Sequence, residues 1–126
     1  MRAALPLLLL ATALSACSPA QAPVASAKAA EAAPATAIAW RQGDVDDAFN
    51  EAAETGKPVL LYWGAVWCPP CNQLKAGLFK DPAFIALTGK FVPVYLDGDE
   101  EGAQAWGERF GVRGYPTLIV LDPQRN

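Results

Sequence analysis

The sequence predicts an α/β fold, a central sheet with helices on both faces, on three observations. Continuous apolar runs of strand length alternate with stretches of helical periodicity. Capping and stop residues punctuate the boundaries between them. Both patterns are confined to residues 38 to 126, the part of the chain that mixes aromatic, charged and aliphatic side chains. Buried strands alternating with amphipathic helices are accommodated by a sheet covered on both sides.

The elements follow in order. Asp44 is placed to cap a first helix, in which Val45, Ala48, Phe49, Ala52 and Ala53 recur at helical spacing and Gly56 is the stop. Pro58-Val59-Leu60-Leu61-Tyr62-Trp63 is apolar without alternation, which predicts a central strand buried on both faces. It runs straight into Trp67-Cys68-Pro69-Pro70-Cys71 and a helical stretch through Leu74 and Leu78. Asp81-Pro82 reads as a cap followed by proline at the first helical position, opening a short turn through Phe84, Ile85 and Leu87. Phe91 to Leu96 is a second strand, although Pro93 argues against a fully hydrogen-bonded interior position. Asp99, Glu100 and Glu101 mark another helix start, with Ala103, Trp106 and Phe110 on one face. Thr117 to Leu121 forms a third strand, closed by the turn signal Asp122-Pro123.

The chain has 126 residues and a formal charge of −3. Without a basic cluster it is not built to meet nucleic acid. It contains no histidine, which excludes Ser-His and Cys-His nucleophiles, His-ligated metals and an imidazole base.

Residues 1 to 37 are dominated by Ala, Leu and Pro. Arg2 followed by the apolar run Ala3 to Ala13 reads as a targeting signal, too short for a membrane-spanning helix of ~20 residues. Leu14-Ser15-Ala16-Cys17 resembles a bacterial lipobox, which implies a signal over residues 1–16 and a lipid on Cys17. The competing reading is a secretory signal cut after Ala20, giving a soluble periplasmic protein. Ser18 in place of an aspartate after the lipobox cysteine points to the outer rather than the inner membrane. Lipidation also accounts for the odd thiol, because three cysteines then leave one pair, Cys68 and Cys71. Residues 17–37 are too poor in large apolar side chains to offset ordering and read as a flexible tether. Some twenty such residues reach between ~25 Å as a coil and ~60 Å if extended.

The chemistry concentrates in the cysteine pair. Two cysteines separated by two residues at a helix start close a disulfide with little movement. Unpaired N–H groups and the helix dipole there favour the first thiolate. Cys68 is therefore the candidate attacking sulfur, Cys71 the resolving one, and Trp67 borders the site. Pro69 suits the first helical position, whereas Pro70 removes an N–H that would otherwise point at the sulfur. That predicts a less acidic Cys68 and a pair toward the reducing end of the exchange scale. A zinc site needs further ligands that are missing, and a c-type haem site needs histidine where Asn72 stands. A copper carrier and a purely structural disulfide remain as competing readings. No metal or organic cofactor is required for exchange.

Trp67-Cys68-Pro69-Pro70-Cys71, together with Gly111-Val112-Arg113-Gly114-Tyr115-Pro116-Thr117, resembles the thioredoxin family over about residues 38 to 122. The wider pattern is similar to exported thioredoxin-like proteins, including the C-terminal domain of the thiol:disulfide interchange reductase. The resemblance implies a thioredoxin-like fold and a cis bond before Pro116. It also implies that Tyr115 and Pro116 orient a substrate backbone. The implied partners are exported protein thiols and disulfides, a thiol protein that supplies or accepts electrons, and a membrane reached through Cys17. There are two departures. Tyr62 stands where the family has a buried aspartate that assists proton transfer at the second cysteine, and no helper lysine is evident beside Pro93, so another carboxylate or water is expected to serve. The chain also stops at Asn126, in the expected hairpin turn, so a sequence truncated before the family's last strand and helix is expected. The alternative function is a thioredoxin-like binding or chaperone module with a structural disulfide.

Overall fold

The computed structural model describes residues 34–124. The expected signal segment, Cys17 and the expected tether up to residue 33 lie outside the described residues.

A four-stranded sheet organises the domain. Its strands are β1 (Arg41–Gln42), β2 (Val59–Gly64), β3 (Val92–Asp97) and β4 (Thr117–Leu121), in the spatial order β1-β3-β2-β4. β1 and β2 flank β3 in parallel, and β4 runs antiparallel to β2. The helices are α1 (Val45–Thr55), α2 (Pro69–Ala76), α3 (Pro82–Thr88) and α4 (Glu101–Phe110), with a 3-10 turn over Leu78–Lys80 between α2 and α3.

Local chemistry sets the boundaries. Asp44 caps α1 by accepting from the Asp47 amide at 2.9 Å, and Gly56 ends it at φ 71°, a left-handed conformation that favours glycine. Val45, Ala48, Phe49 and Ala52 are buried as the periodicity predicts, whereas Ala53 is exposed, because the apolar stripe is narrower than expected. Asp81 caps α3 through the amides of Ala83 and Phe84 at 2.9 and 3.0 Å. The helix after the cysteines stops short of Leu78: Gly77 leaves helical geometry at ψ −95° and a 3-10 turn follows.

β2 is buried along its whole length, as a run without polar alternation requires. Odd-numbered residues point to one face and even-numbered to the other. Val59, Leu61 and Trp63 join Val92, Val94 and Leu96 of β3 under α1 and α4. Tyr62 lies on the opposite face with Phe79, Ile85 and Ile38. Both faces of the sheet thus carry helices.

Pro93 is buried inside β3, opposite Leu60. The amides of Val92 and Gly98 donate toward β2, to Pro58 and Gly64, so even-numbered nitrogens of β3 face β2 and odd ones face β1. Pro93 therefore turns its nitrogen toward β1, which begins to pair only at Val94. An interior strand tolerates proline there because no ladder bond is lost. On β4, which borders β2 alone, Leu118 and Val120 are exposed.

Candidate active site

The carboxyl end of β2 delivers the chain through Ala65, Val66 and Trp67 into α2. Cys68 is the N-cap of that helix, and Pro69 and Pro70 fill its first two positions. Proline suits these positions because the nitrogens there have no intrahelical partner. The first amide available to the cap is that of Cys71, which donates to Cys68 Sγ at 3.3 Å. The two cysteines form a disulfide with Cα atoms 5.3 Å apart. Cys68 is 3% exposed and Cys71 fully buried, among Ala65 and Tyr115. Cys68 Sγ thus sits at the helix N-terminus, where the Cys71 N–H and the helix dipole favour negative charge, and the fully buried Cys71 lies one turn inside. That is the asymmetry an attacking and a resolving thiol require.

The rim is aromatic. Trp67 is 62% exposed and Val66 68%, an apolar lip beside the disulfide. The Trp67 indole N–H is held by both carboxylate oxygens of Asp99 at 3.0 Å. Its ring meets Tyr115 edge-on at 6.2 Å. Trp67, Val112, Arg113, Gly114 and Tyr115 line an open cleft of about 390 Å³. The Tyr115–Pro116 bond is cis, as the resemblance implies. Tyr115 in turn rests on Gly98, where a Cβ would collide with its ring, and its hydroxyl donates to the Gly98 carbonyl at 3.4 Å.

The fold thus brings Trp67, Cys68, Cys71, Tyr115 and Pro116 to one end of the sheet. Asp99 belongs with them and was missed in the sequence. Its only signal there is an acidic residue just past the β3 strand, which also reads as a helix start. Among the described residues, no cluster of three or more His, Cys, Asp or Glu is placed to hold a metal ion. A cysteine pair two residues apart at a helix N-terminus suits thiol–disulfide exchange.

Comparison with known proteins agrees with this chemistry. The sequence pattern of a thioredoxin-like family matches residues 39–123. The chain is similar to the thiol:disulfide interchange protein DsbD of Ralstonia nicotianae, with 34% identity over 85 residues, 66% of this chain and 14% of that protein. It is also similar to the protein disulfide-isomerase erp38 of Neurospora crassa, 33% identical over 99 residues, 79% of this chain and 26% of that protein. The chain therefore spans about a quarter or less of the length of these relatives. Among solved structures, a thioredoxin from Thermus thermophilus superposes with a TM-score of 0.59 at 27% identity, covering 67% of this chain and 65% of that one. The matched span, the shared fold and the cysteine pair at the head of α2 agree: the chain belongs to the thioredoxin-like family.

Proposed function

We propose that the chain reduces disulfides in exported proteins and is re-reduced by another thiol protein. The observation that carries the direction is the cap of α2. With prolines at its first two positions, a single N–H, that of Cys71, reaches Cys68 Sγ. A thiolate with one amide donor is less stabilised than one facing several, and a less stable thiolate favours the disulfide form of the enzyme. Such an enzyme gives electrons away.

In the forward cycle, the Cys68 thiolate attacks a substrate disulfide and forms a mixed disulfide, releasing one substrate thiol. Cys71 then attacks Cys68 Sγ, the Cys68–substrate bond breaks, and the second substrate thiol leaves. Trp67 offers the partner an apolar contact, while Tyr115 and Pro116 present backbone to an extended substrate segment. The lipobox-like Leu14-Ser15-Ala16-Cys17 supports a periplasm-facing domain on a lipid anchor, the outer membrane preferred. Residues 17–37 would then form the tether and residues 38–126 the catalytic domain. Export by a secretory signal and a soluble periplasmic location is the competing outcome.

Trapping tests the reading. In Cys71→Ser the mixed disulfide cannot resolve, so Cys68 should hold exported proteins covalently until a dithiol is added, and Cys68→Ser should abolish the adducts. Adducts confined to cytoplasmic proteins would overturn the exported substrate class. Label from a radioactive fatty acid should appear on the native chain and be lost in Cys17→Ser. The exposed Val66 and Trp67 beside a buried disulfide also suit a binding module. That reading requires a disulfide inert to small dithiols and partner binding that survives Cys68→Ser.

A further inference from the structure

Two tyrosine hydroxyls, those of Tyr62 and Tyr95, are buried without a hydrogen-bond partner among the described residues. Leaving a polar group unpaired in an interior costs about 1–3 kcal/mol, and phenylalanine would fill the same space without that cost. The two residues face each other across β2 and β3, with rings 5.5 Å apart. Burial pushes both phenols above their ordinary range, so each keeps its proton and is a donor at neutral pH.

Their position relative to α2 gives the hydroxyl of Tyr62 a use. The Lys75 ammonium of α2 lies 5.2 Å above the Tyr95 ring, and Cys71 is one turn earlier on the same stripe of that helix. α2 leads back from the end of β2, so moving toward Cys71 along the helix means moving forward along the strand. The Tyr62 side chain makes that move: its hydroxyl reaches the level of Gly64, 2.5 Å from where a Cβ on Gly64 would stand. Two strand residues advance ~6.6 Å and one helical turn ~5.4 Å. The hydroxyl thus lies below the Cys71 end of the stripe, and the next strand residue, Ala65, packs against both cysteines. Glycine at position 64 leaves the path open.

We propose that the Tyr62 hydroxyl donates a hydrogen bond to the Cys71 thiolate and so promotes the resolving step. The proposal rests on the exchange chemistry of the cysteine pair. In that step the Cys71 thiol proton passes to the departing substrate sulfur, a Cys68–Cys71 bond forms, and the Cys68–substrate bond breaks with its electron pair leaving on the substrate. Tyr62 keeps its own proton throughout. The hydroxyl has no partner in the disulfide form, and reduction supplies an anion for it to meet. The charged groups around the tyrosine pair are Lys75 on α2, Asp97 on β3 and Asp99 beyond it. The side chains packed there from the N-terminal segment, the 3-10 turn and α3 are Ile38, Trp40, Phe79, Phe84 and Ile85, none of which titrates.

The test uses the reduced protein and an aromatic disulfide reagent that releases a coloured thiolate. Cys68 attack gives a first phase of colour and Cys71 resolution a second. In Tyr62→Phe the first phase should be unchanged, and the second should slow about tenfold at neutral pH with its pH midpoint moved upward. Tyr95→Phe should leave both phases unchanged. Native rates and midpoints in Tyr62→Phe, or an equal slowing in Tyr95→Phe, overturn the proposal while leaving exchange itself intact. Failure of the first phase in the native protein would instead overturn the exchange reading. In the native protein, the tyrosine Raman doublet should shift toward a donating hydroxyl on reduction, and an unchanged doublet contradicts the proposal without recourse to a variant.

Discussion

On the face of the sheet under α1 and α4, Val59, Leu61, Trp63, Val92, Val94 and Leu96 meet Val45, Ala48, Phe49 and Ala103. The one polar atom of Trp63 is satisfied there: its indole N–H donates to the Ala103 carbonyl at 2.9 Å. On the face under α2 and α3, the same two strands contribute Tyr62 and Tyr95, in an aromatic cluster with Trp40 and Phe79, and their two hydroxyls have no partner. The first face is assembled for stability. The second gives up stability beneath the helix that carries the cysteines. Among the described residues, the buried side-chain polar atoms without a partner are confined to this second face.

The contrast can be broken most forcefully on the first face. Trp63→Ala removes a fully buried indole and should cost about 3–5 kcal/mol in chemical denaturation. The molecules that remain folded should exchange disulfides at the native rate. The second face should respond in the opposite sense. Tyr62→Phe should raise stability by about 1 kcal/mol, since it removes an unpaired hydroxyl and keeps the ring. A loss of that size would mean the hydroxyl is satisfied in the oxidised protein.

The same face should dominate alkaline unfolding. Burial raises both phenols, so the folded protein holds these protons more tightly than the unfolded chain. Their contribution is complete below about pH 10 and lost as pH rises through the higher folded values. A melting temperature that falls above that pH in the native protein, and falls less steeply in Tyr62→Phe, is the expected result. Smallest of all should be the effect at the sheet edge. Arg41 donates to the Glu51 carboxylate at 3.0 Å through Nε, but the side chains are 35% and 39% exposed. Solvent screens such a pair, and Glu51→Gln should cost about 0.5 kcal/mol or less.

What could be read from the sequence was what short-range chemistry determines. The unbroken run of β2, the Asp44 and Asp81 caps, the Gly56 stop and the cysteine spacing each act within a few residues, and each appears in the structure as expected. Three features did not show. β1 has only two residues, too few for any period, and exists because β3 offers it an edge. Asp99 meets Trp67 across 32 positions of sequence, a distance no local pattern spans. The orphaned hydroxyls have no local signature, since a tyrosine in an apolar run reads as one more core residue, and the space that Gly64 leaves for Tyr62 is a matter of side-chain packing.

The direction of electron flow is tested most directly by the reduction potential of the Cys68–Cys71 pair, equilibrated with glutathione. A cap with one amide donor should leave the pair reducing, at roughly −270 mV. A potential of roughly −120 mV would make the protein a disulfide donor and refute the reductase assignment.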